Sequence, residues 1–251
     1  MPIKFIIQRI GQSGLRIEYS DKVIYVDPYL SDSVKILDAD DLERLLPAPF
    51  FADEVSDADW VLITHDHIDH CDPMTIPAIA KKSLHAKFLG PAPVIEKLME
   101  WGVSRSRLCL ANKSNCVLFD GVEVSVIPAA HPLIEYDADN NLLCVGYMLA
   151  TLCERVYIAG DTVVNQSILE RIKESGTVDI AVLPVNESNF FRERRGIIGN
   201  MSVREAFGVA EEIGAKKVIP VHWDMFAANS VSPDEIRLVY EQMNLSFDLD
   251  L

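Results

Sequence analysis

Four apolar residues, Trp60–Ile63, lead directly into Thr64-His65-Asp66-His67-Ile68-Asp69-His70, and Asp72-Pro73 follows at once. No other stretch constrains the chain as strongly. A short apolar run bounded this way reads as a buried strand, and Asp-Pro reads as a helix N-cap with proline at the first helical position. The cluster therefore sits in a strand-to-helix connection. Side chains alternate along an extended segment, so His65 and His67 project to one side, and the turn that follows brings Asp69 and His70 round to the same cavity. Three imidazoles and several carboxylates desolvated together carry a large penalty unless a cation compensates them. A divalent metal ion removes it. Zinc, manganese, iron and nickel all suit these donors.

The same placement recurs further on. His131 follows Val126-Ile127-Pro128-Ala129-Ala130, Asp161 follows Val156-Tyr157-Ile158-Ala159-Gly160, Asn186 and Glu187 follow Ile180–Val185, and His222 follows Val218-Ile219-Pro220-Val221. Open α/β sheets place ligands at the carboxyl ends of their strands. Together with the first cluster, the candidate metal ligands are His65, His67, Asp69, His70, His131, Asp161 and His222. That set is large enough for two ions sharing a carboxylate. Asn186, Glu187 and Trp223 are candidate substrate contacts beside them, and Asp69 is the candidate to orient a nucleophile or relay its proton.

Elsewhere the pattern is α/β. Strands are expected over Lys4–Ile10, Leu15–Tyr19 and Val23–Val26, then at Ala86–Leu89, Leu108–Leu110, Cys116–Phe119, Val122–Ile127, Leu143–Leu152, Val156–Ala159, Ile180–Val185 and Lys217–Val221. Helices are expected from Asp72-Pro73 to about Lys81 and over Ala92–Trp101, Gln166–Glu174, Val203–Ile213 and Pro233–Met243. The segment from Ser31 to Ser56 reads as an irregular loop with a short helix near Leu42–Leu46. No linker or repeat interrupts the chain, so one domain over residues 1–251 is expected.

The formal charge is −15, from 38 acidic against 23 basic residues. Such a chain repels a phosphate backbone, which argues against nucleic acid as a partner. The longest uncharged apolar stretch, Leu142 to Cys153, is too short for a spanning helix of about 20 residues. No membrane partner is expected, and without a recognisable secretory signal the expected location is cytoplasmic. Five cysteines form no Cys-x-x-Cys pair and read as reduced thiols. Four look like ordinary small core residues, and Cys71 is read as a packed thiol rather than a metal ligand. Arg192, Arg194 and Arg195 form the only dense basic patch, where guanidinium forks match a phosphate or another small anion.

The ordered set Gly11-Gln12-Ser13-Gly14, His65-Asp66-His67-Ile68-Asp69-His70, His131, Gly160-Asp161-Thr162 and Pro220-Val221-His222 resembles the metallo-β-lactamase fold hydrolases. The resemblance implies a four-layer αββα sandwich with two metal ions at one edge between its sheets. It implies His65, His67 and His131 as ligands of one ion, Asp69, His70 and His222 of the other, and Asp161 as the bridge, with zinc or manganese expected ahead of iron or nickel. Oligomers are common in the family, so a homo-oligomer is a further expectation.

Within the family the chain looks most like the L-ascorbate-6-phosphate lactonase branch. Arg195-Gly196-Ile197 ahead of Met201-Ser202, and Val218–Asp224 followed by Ser232-Pro233-Asp234-Glu235-Ile236-Arg237, carry that likeness. It implies a hydrolase that uses a metal-bound hydroxide to open a phosphorylated sugar lactone, with Arg195 as the anion contact. A phosphodiesterase or another ester or amide hydrolase with the same dinuclear centre is the alternative.

Overall fold

Alternating apolar and polar residues produce a three-stranded antiparallel meander at the start of the chain: β1 (Ile6–Gly11), β2 (Gly14–Tyr19) and β3 (Lys22–Val26). The β1–β2 turn needs positive φ at Gly11 (104°) and Gln12 (54°). Gly14 is required for a different reason, since a Cβ there would lie 2.8 Å from the Gly11 carbonyl oxygen. After helix α1 (Ser33–Leu37), β4 (Trp60–Leu62) pairs parallel to β3, and its three residues are all buried. Helix α2 (Thr75–Lys82) leads to β5 (Lys87–Gly90), and helix α3 (Ala92–Glu100) leads to β6 (Leu108–Leu110). Both strands add parallel, completing a six-stranded sheet in the order β1 to β6. Ile76, Ile79, Phe88, Val94 and Leu98 are fully buried between helices and sheet, each contributing roughly 1.5–3 kcal/mol of burial.

The computed structural model describes residues 3–112, 116–119 and 121–251. Met1 and Pro2, which open the stretch read as lacking a signal, and the Cys116 side chain lie outside the described residues. The chain divides into two compact units, one holding the residues up to Asn112 plus Tyr136–Leu143, the other holding the remainder.

The second unit repeats the plan of the first. Strands β7 (Cys116–Phe119), β8 (Val122–Pro128), β9 (Val145–Ala150) and β10 (Arg155–Ile158) pair antiparallel in succession. Then β11 (Ile180–Pro184), β12 (Lys217–Val221) and β13 (Asp248–Leu249) add parallel. The crossovers carry α4 (Gln166–Glu174), the short α5 (Phe190–Glu193), α6 (Val203–Glu212) and α7 (Pro233–Met243). Local chemistry sets the helix starts. The Asn165 side chain accepts from the Ser167 and Ile168 amides, Ser202 and Glu205 form a capping box, and Pro233 follows the Ser232 cap. Phe207, Ile236 and Phe247 anchor this unit's own core, with the Phe207 and Phe247 rings 5.5 Å apart.

Two mixed sheets flanked by helices are what the α/β reading anticipates. Three local expectations fail. No helix forms at Leu42–Leu46, because Arg44 holds that segment open: its guanidinium donates to the carbonyls of Tyr29, Ser31 and Leu46 and lies 4.8 Å from the Tyr29 ring centroid. Cys153 is exposed rather than a core residue, since it sits in the turn between β9 and β10, and Cys109 and Cys144 are only half-buried. Helix α2 starts at Thr75 rather than at Pro73, with Met74 and not Asp72 at its N-cap; the Asp72 carbonyl accepts from the Ile76 amide and its carboxylate from the Met74 amide, which holds the turn just before the helix. Among the described residues no helix is long and apolar enough to cross a membrane.

Strand direction decides where the polar residues collect. In the first sheet β1, β3 and β4 run the same way, because β2 opposes both of its neighbours. Their carboxyl ends present Gln12, Asp27 and the Thr64–His70 loop at one edge. In the second sheet β8 runs with β10, β11 and β12, because β9 opposes β8 and β10. His131, Asp161, Asn186 and His222 follow those four strands at one edge.

Candidate metal-binding residues

In the first unit the loop after β4 is held by a carboxylate that sequence reading passes over. Asp27 lies immediately after β3, at φ 42° and 1% exposed. Its Oδ1 accepts the Thr64 amide at 2.8 Å, and its Oδ2 accepts the Thr64 hydroxyl at 2.6 Å and meets His70 Nδ1 at 2.8 Å. Thr64 Oγ1 in turn lies 3.0 Å from His65 Nδ1. With Nδ1 engaged on both rings, Nε2 is the nitrogen that His65 and His70 could offer to a metal ion. The ring of His65 lies 4.6 Å from that of His67 and 4.1 Å from that of His70, centroid to centroid. His67 is exposed, and His65 and His70 are buried.

Asp69 faces the same group. Its Oδ2 accepts from Gln12 Nε2 at 2.7 Å and lies 3.7 Å from His70 Nε2. The helix-side carboxylate Asp72, by contrast, is occupied by Ser31 and Thr75 hydroxyls and the Met74 amide, a structural role. Cys71 is packed in the core, and burial pushes its thiol well above the ordinary range, which keeps it protonated.

In the second unit Thr162 ties two strand-end loops together. Its hydroxyl accepts the Ala130 amide at 3.0 Å, and the Val163 amide donates to the Ala130 carbonyl at 2.9 Å. This brings His131 beside Asp161, with 3.8 Å between Nε2 and Oδ2. His222, at φ 63°, places its Nε2 3.2 Å from the same oxygen. A non-glycine residue held in the left-handed region at a strand end is a strain that functional sites commonly retain. His131, Asp161 and His222 are each at most 6% exposed.

The donor chemistry of both units fits a divalent ion. All groups are imidazole nitrogens or carboxylate oxygens. The spacings of 3.2–3.8 Å between donor atoms are close to the ~3.3 Å edge of a tetrahedron with bonds of about 2.0–2.1 Å.

The candidate substrate residues divide differently. Asn186 is fully buried, accepting at Oδ1 from Asn200 Nδ2 at 2.9 Å, and Trp223 donates its indole N–H to the Pro220 carbonyl at 3.0 Å. Glu187 and Arg195 are exposed. Arg192 is turned inward, donating to the carbonyls of Glu187, Ala228 and Ser230. Arg194 lies 5.6 Å from the Phe190 ring centroid. The basic patch is therefore a set of three arginines with different duties. The signal for Asp27 was an acid at the end of an apolar strand, the same signal as at Asp161, masked by Pro28 after it.

A family model described as a beta-lactamase superfamily domain matches residues 22–223. The chain belongs to the beta-lactamase superfamily. Superfamily relatives include an uncharacterized protein of Mycobacterium tuberculosis, 28% identical over 216 residues covering 86% of this chain. The match spans only 58% of that relative's length. A UPF0173 metal-dependent hydrolase of Pyrobaculum islandicum is 26% identical over 92% of this chain and 89% of its own. A probable L-ascorbate-6-phosphate lactonase of Salmonella heidelberg is 26% identical over 79% of this chain and 58% of its own. Among solved structures, the metallo hydrolase Igni18 of Ignicoccus hospitalis aligns with a TM-score of 0.73 at 19% identity, covering 98% of this chain and 93% of that one. The superfamily fold is thus shared over nearly the full length.

Proposed function

We propose that this superfamily member is a metal-dependent hydrolase in which His65, His67 and His131 would hold one divalent ion, Asp69, His70 and His222 would hold a second, and Asp161 would serve both. The observation that carries the reading is the orientation of the imidazoles: Asp27 and Thr64 engage Nδ1 of His70 and His65, and Asp161 Oδ2 lies within 3.8 Å of Nε2 of both His131 and His222. Such outer contacts fix tautomer and direction before any ion arrives.

Bound divalent ions supply Lewis acidity and lower the pKa of water toward neutrality. The chain's own part is positional. Gln12 fixes the Asp69 carboxylate, so that it can orient the attacking water and receive its proton. Burial of His131, Asp161 and His222 excludes bulk solvent and strengthens electrostatics around them. Trp223, with its N–H satisfied, offers its ring as an apolar wall.

The proposed substrate is a phosphorylated sugar lactone. Support comes from the lactonase relative and from Arg195, exposed in the turn after α5. Glu187, exposed after β11, is the proposed partner of sugar hydroxyls, whereas Asn186, fully buried against Asn200, supports that strand end instead of touching substrate. Assaying the zinc- and manganese-loaded protein on a sugar-phosphate lactone and on a bis-aryl phosphodiester tests this. Lactone turnover is expected. Turnover of the diester alone rejects the lactonase assignment, and turnover of neither rejects the substrate class altogether.

A further inference from the structure

The loop between β4 and α2 is tethered by more than Asp27 and Gln12. Helix α3 buries Val94, Ile95 and Leu98 against the first unit's core. Lys97, among those residues in sequence, reaches the loop instead: its Nζ donates to the Asp66 carbonyl at 2.6 Å and pairs with Asp66 Oδ2 at 2.8 Å. Asp66 is the residue between His65 and His67.

An exposed lysine–aspartate pair is ordinarily worth little, because two flexible side chains must be ordered against a strongly screening solvent. This pair differs in what it holds. The short bond to a backbone carbonyl 31 residues away fixes a peptide plane, not merely a side chain. On the far side of that peptide, the His67 carbonyl accepts from the His70 and Cys71 amides at 3.0 and 2.7 Å. The backbone on both sides of the His67 Cα is therefore pinned, and with it the direction in which the imidazole leaves the chain.

We infer that Lys97 is a positioning residue for the His65–His67 ligand pair, setting the splay of two rings whose centroids lie 4.6 Å apart. The inference rests on the metal-hydrolase reading above. Metal–ligand bonds tolerate deviations of about 0.2 Å, so a peptide plane released to rotate costs affinity without unfolding the chain. Charge alone acts the other way. An ammonium near a dication repels it, so a purely coulombic role for Lys97 predicts tighter metal binding when the lysine is lost.

Zinc affinity of the full chain, measured by chelator competition alongside thermal unfolding of the metal-free protein, tests the inference with Lys97→Met, Lys97→Arg and Asp66→Asn. Lys97→Met is expected to weaken zinc binding roughly tenfold or more, with the metal-free unfolding midpoint nearly unchanged. Asp66→Asn loses the ion pair but keeps the carbonyl bond and is expected to lose less. Lys97→Arg, which can still donate to the carbonyl, is expected to recover part of the affinity. Lys97→Met affinity equal to or tighter than the parent's overturns the inference, as does a loss of affinity matched by a collapse of the metal-free midpoint. Parent protein that binds no zinc instead overturns the metal-hydrolase reading on which the inference stands.

Discussion

The Asp27 carboxylate and the His70 imidazole meet at 2.8 Å across 43 residues of sequence, both at most 1% exposed. One carboxylate thereby orients two imidazoles, His70 directly and His65 through Thr64 Oγ1. Its place at the end of β3, one strand away from the histidine loop, makes the pairing of β3 with β4 part of the chemistry. The Asp27 amide donating to the Leu62 carbonyl at 3.0 Å closes the same junction from the backbone side.

Removing that carboxylate is expected to affect stability and metal binding together. Asp27→Ala leaves a buried imidazole and hydroxyl without their acceptor and should cost about 3 kcal/mol in denaturant unfolding. Asp27→Asn tolerates the positive φ but presents an amide where His70 needs an acceptor, and zinc affinity by chelator competition should fall roughly 10–100-fold.

Gln12 offers a cleaner separation. Its backbone sits at φ 54°, which glycine adopts without strain, so Gln12→Gly removes the side-chain contact to Asp69 without straining the turn. Turnover should drop about tenfold, while metal content, read by elemental analysis, stays at the parent level.

The arginine patch should split by role. Arg192→Met strips three carbonyls of their donor and is expected to lower unfolding free energy by about 2 kcal/mol. Arg195→Met should leave stability unchanged and raise KM about tenfold for a phosphorylated substrate relative to its unphosphorylated counterpart.

Alkaline pH probes the first unit's packing. Burial raises both Tyr25 and Tyr29 from 10.0 to about 12, aided at Tyr25 by its hydrogen bond to Asp57. The unfolded chain loses these protons first, so the stabilisation is complete below pH 10 and is lost as pH rises through about 12. Urea midpoints measured across that window should fall, and Tyr29→Phe should flatten the decline.

Much of this was legible in the sequence because local and tertiary signals agreed. Helices α4 and α7 and strand β12 begin and end where side-chain caps, proline and apolar runs place them. The strand-end rule found Asp161 and His222 because each follows an uninterrupted apolar strand. What escaped depends on contacts between distant segments. Arg44 prevents a helix at Leu42–Leu46 by bonding to carbonyls well before that segment and at its last residue, and Arg192 turns from solvent to the loop around Ser230. Helix α5 hides in a charged run because its start is set by the Asn189 side chain rather than by apolar periodicity.

The measurement closest to the central claim is metal stoichiometry of the parent chain and of Asp161→Ala, by elemental analysis after zinc loading and exhaustive dialysis. Two zinc ions per parent chain, falling to one or fewer in Asp161→Ala with activity lost in step, are the expected values. A parent chain that retains no zinc, or an Asp161→Ala variant that still retains two, contradicts a dinuclear centre bridged by this carboxylate.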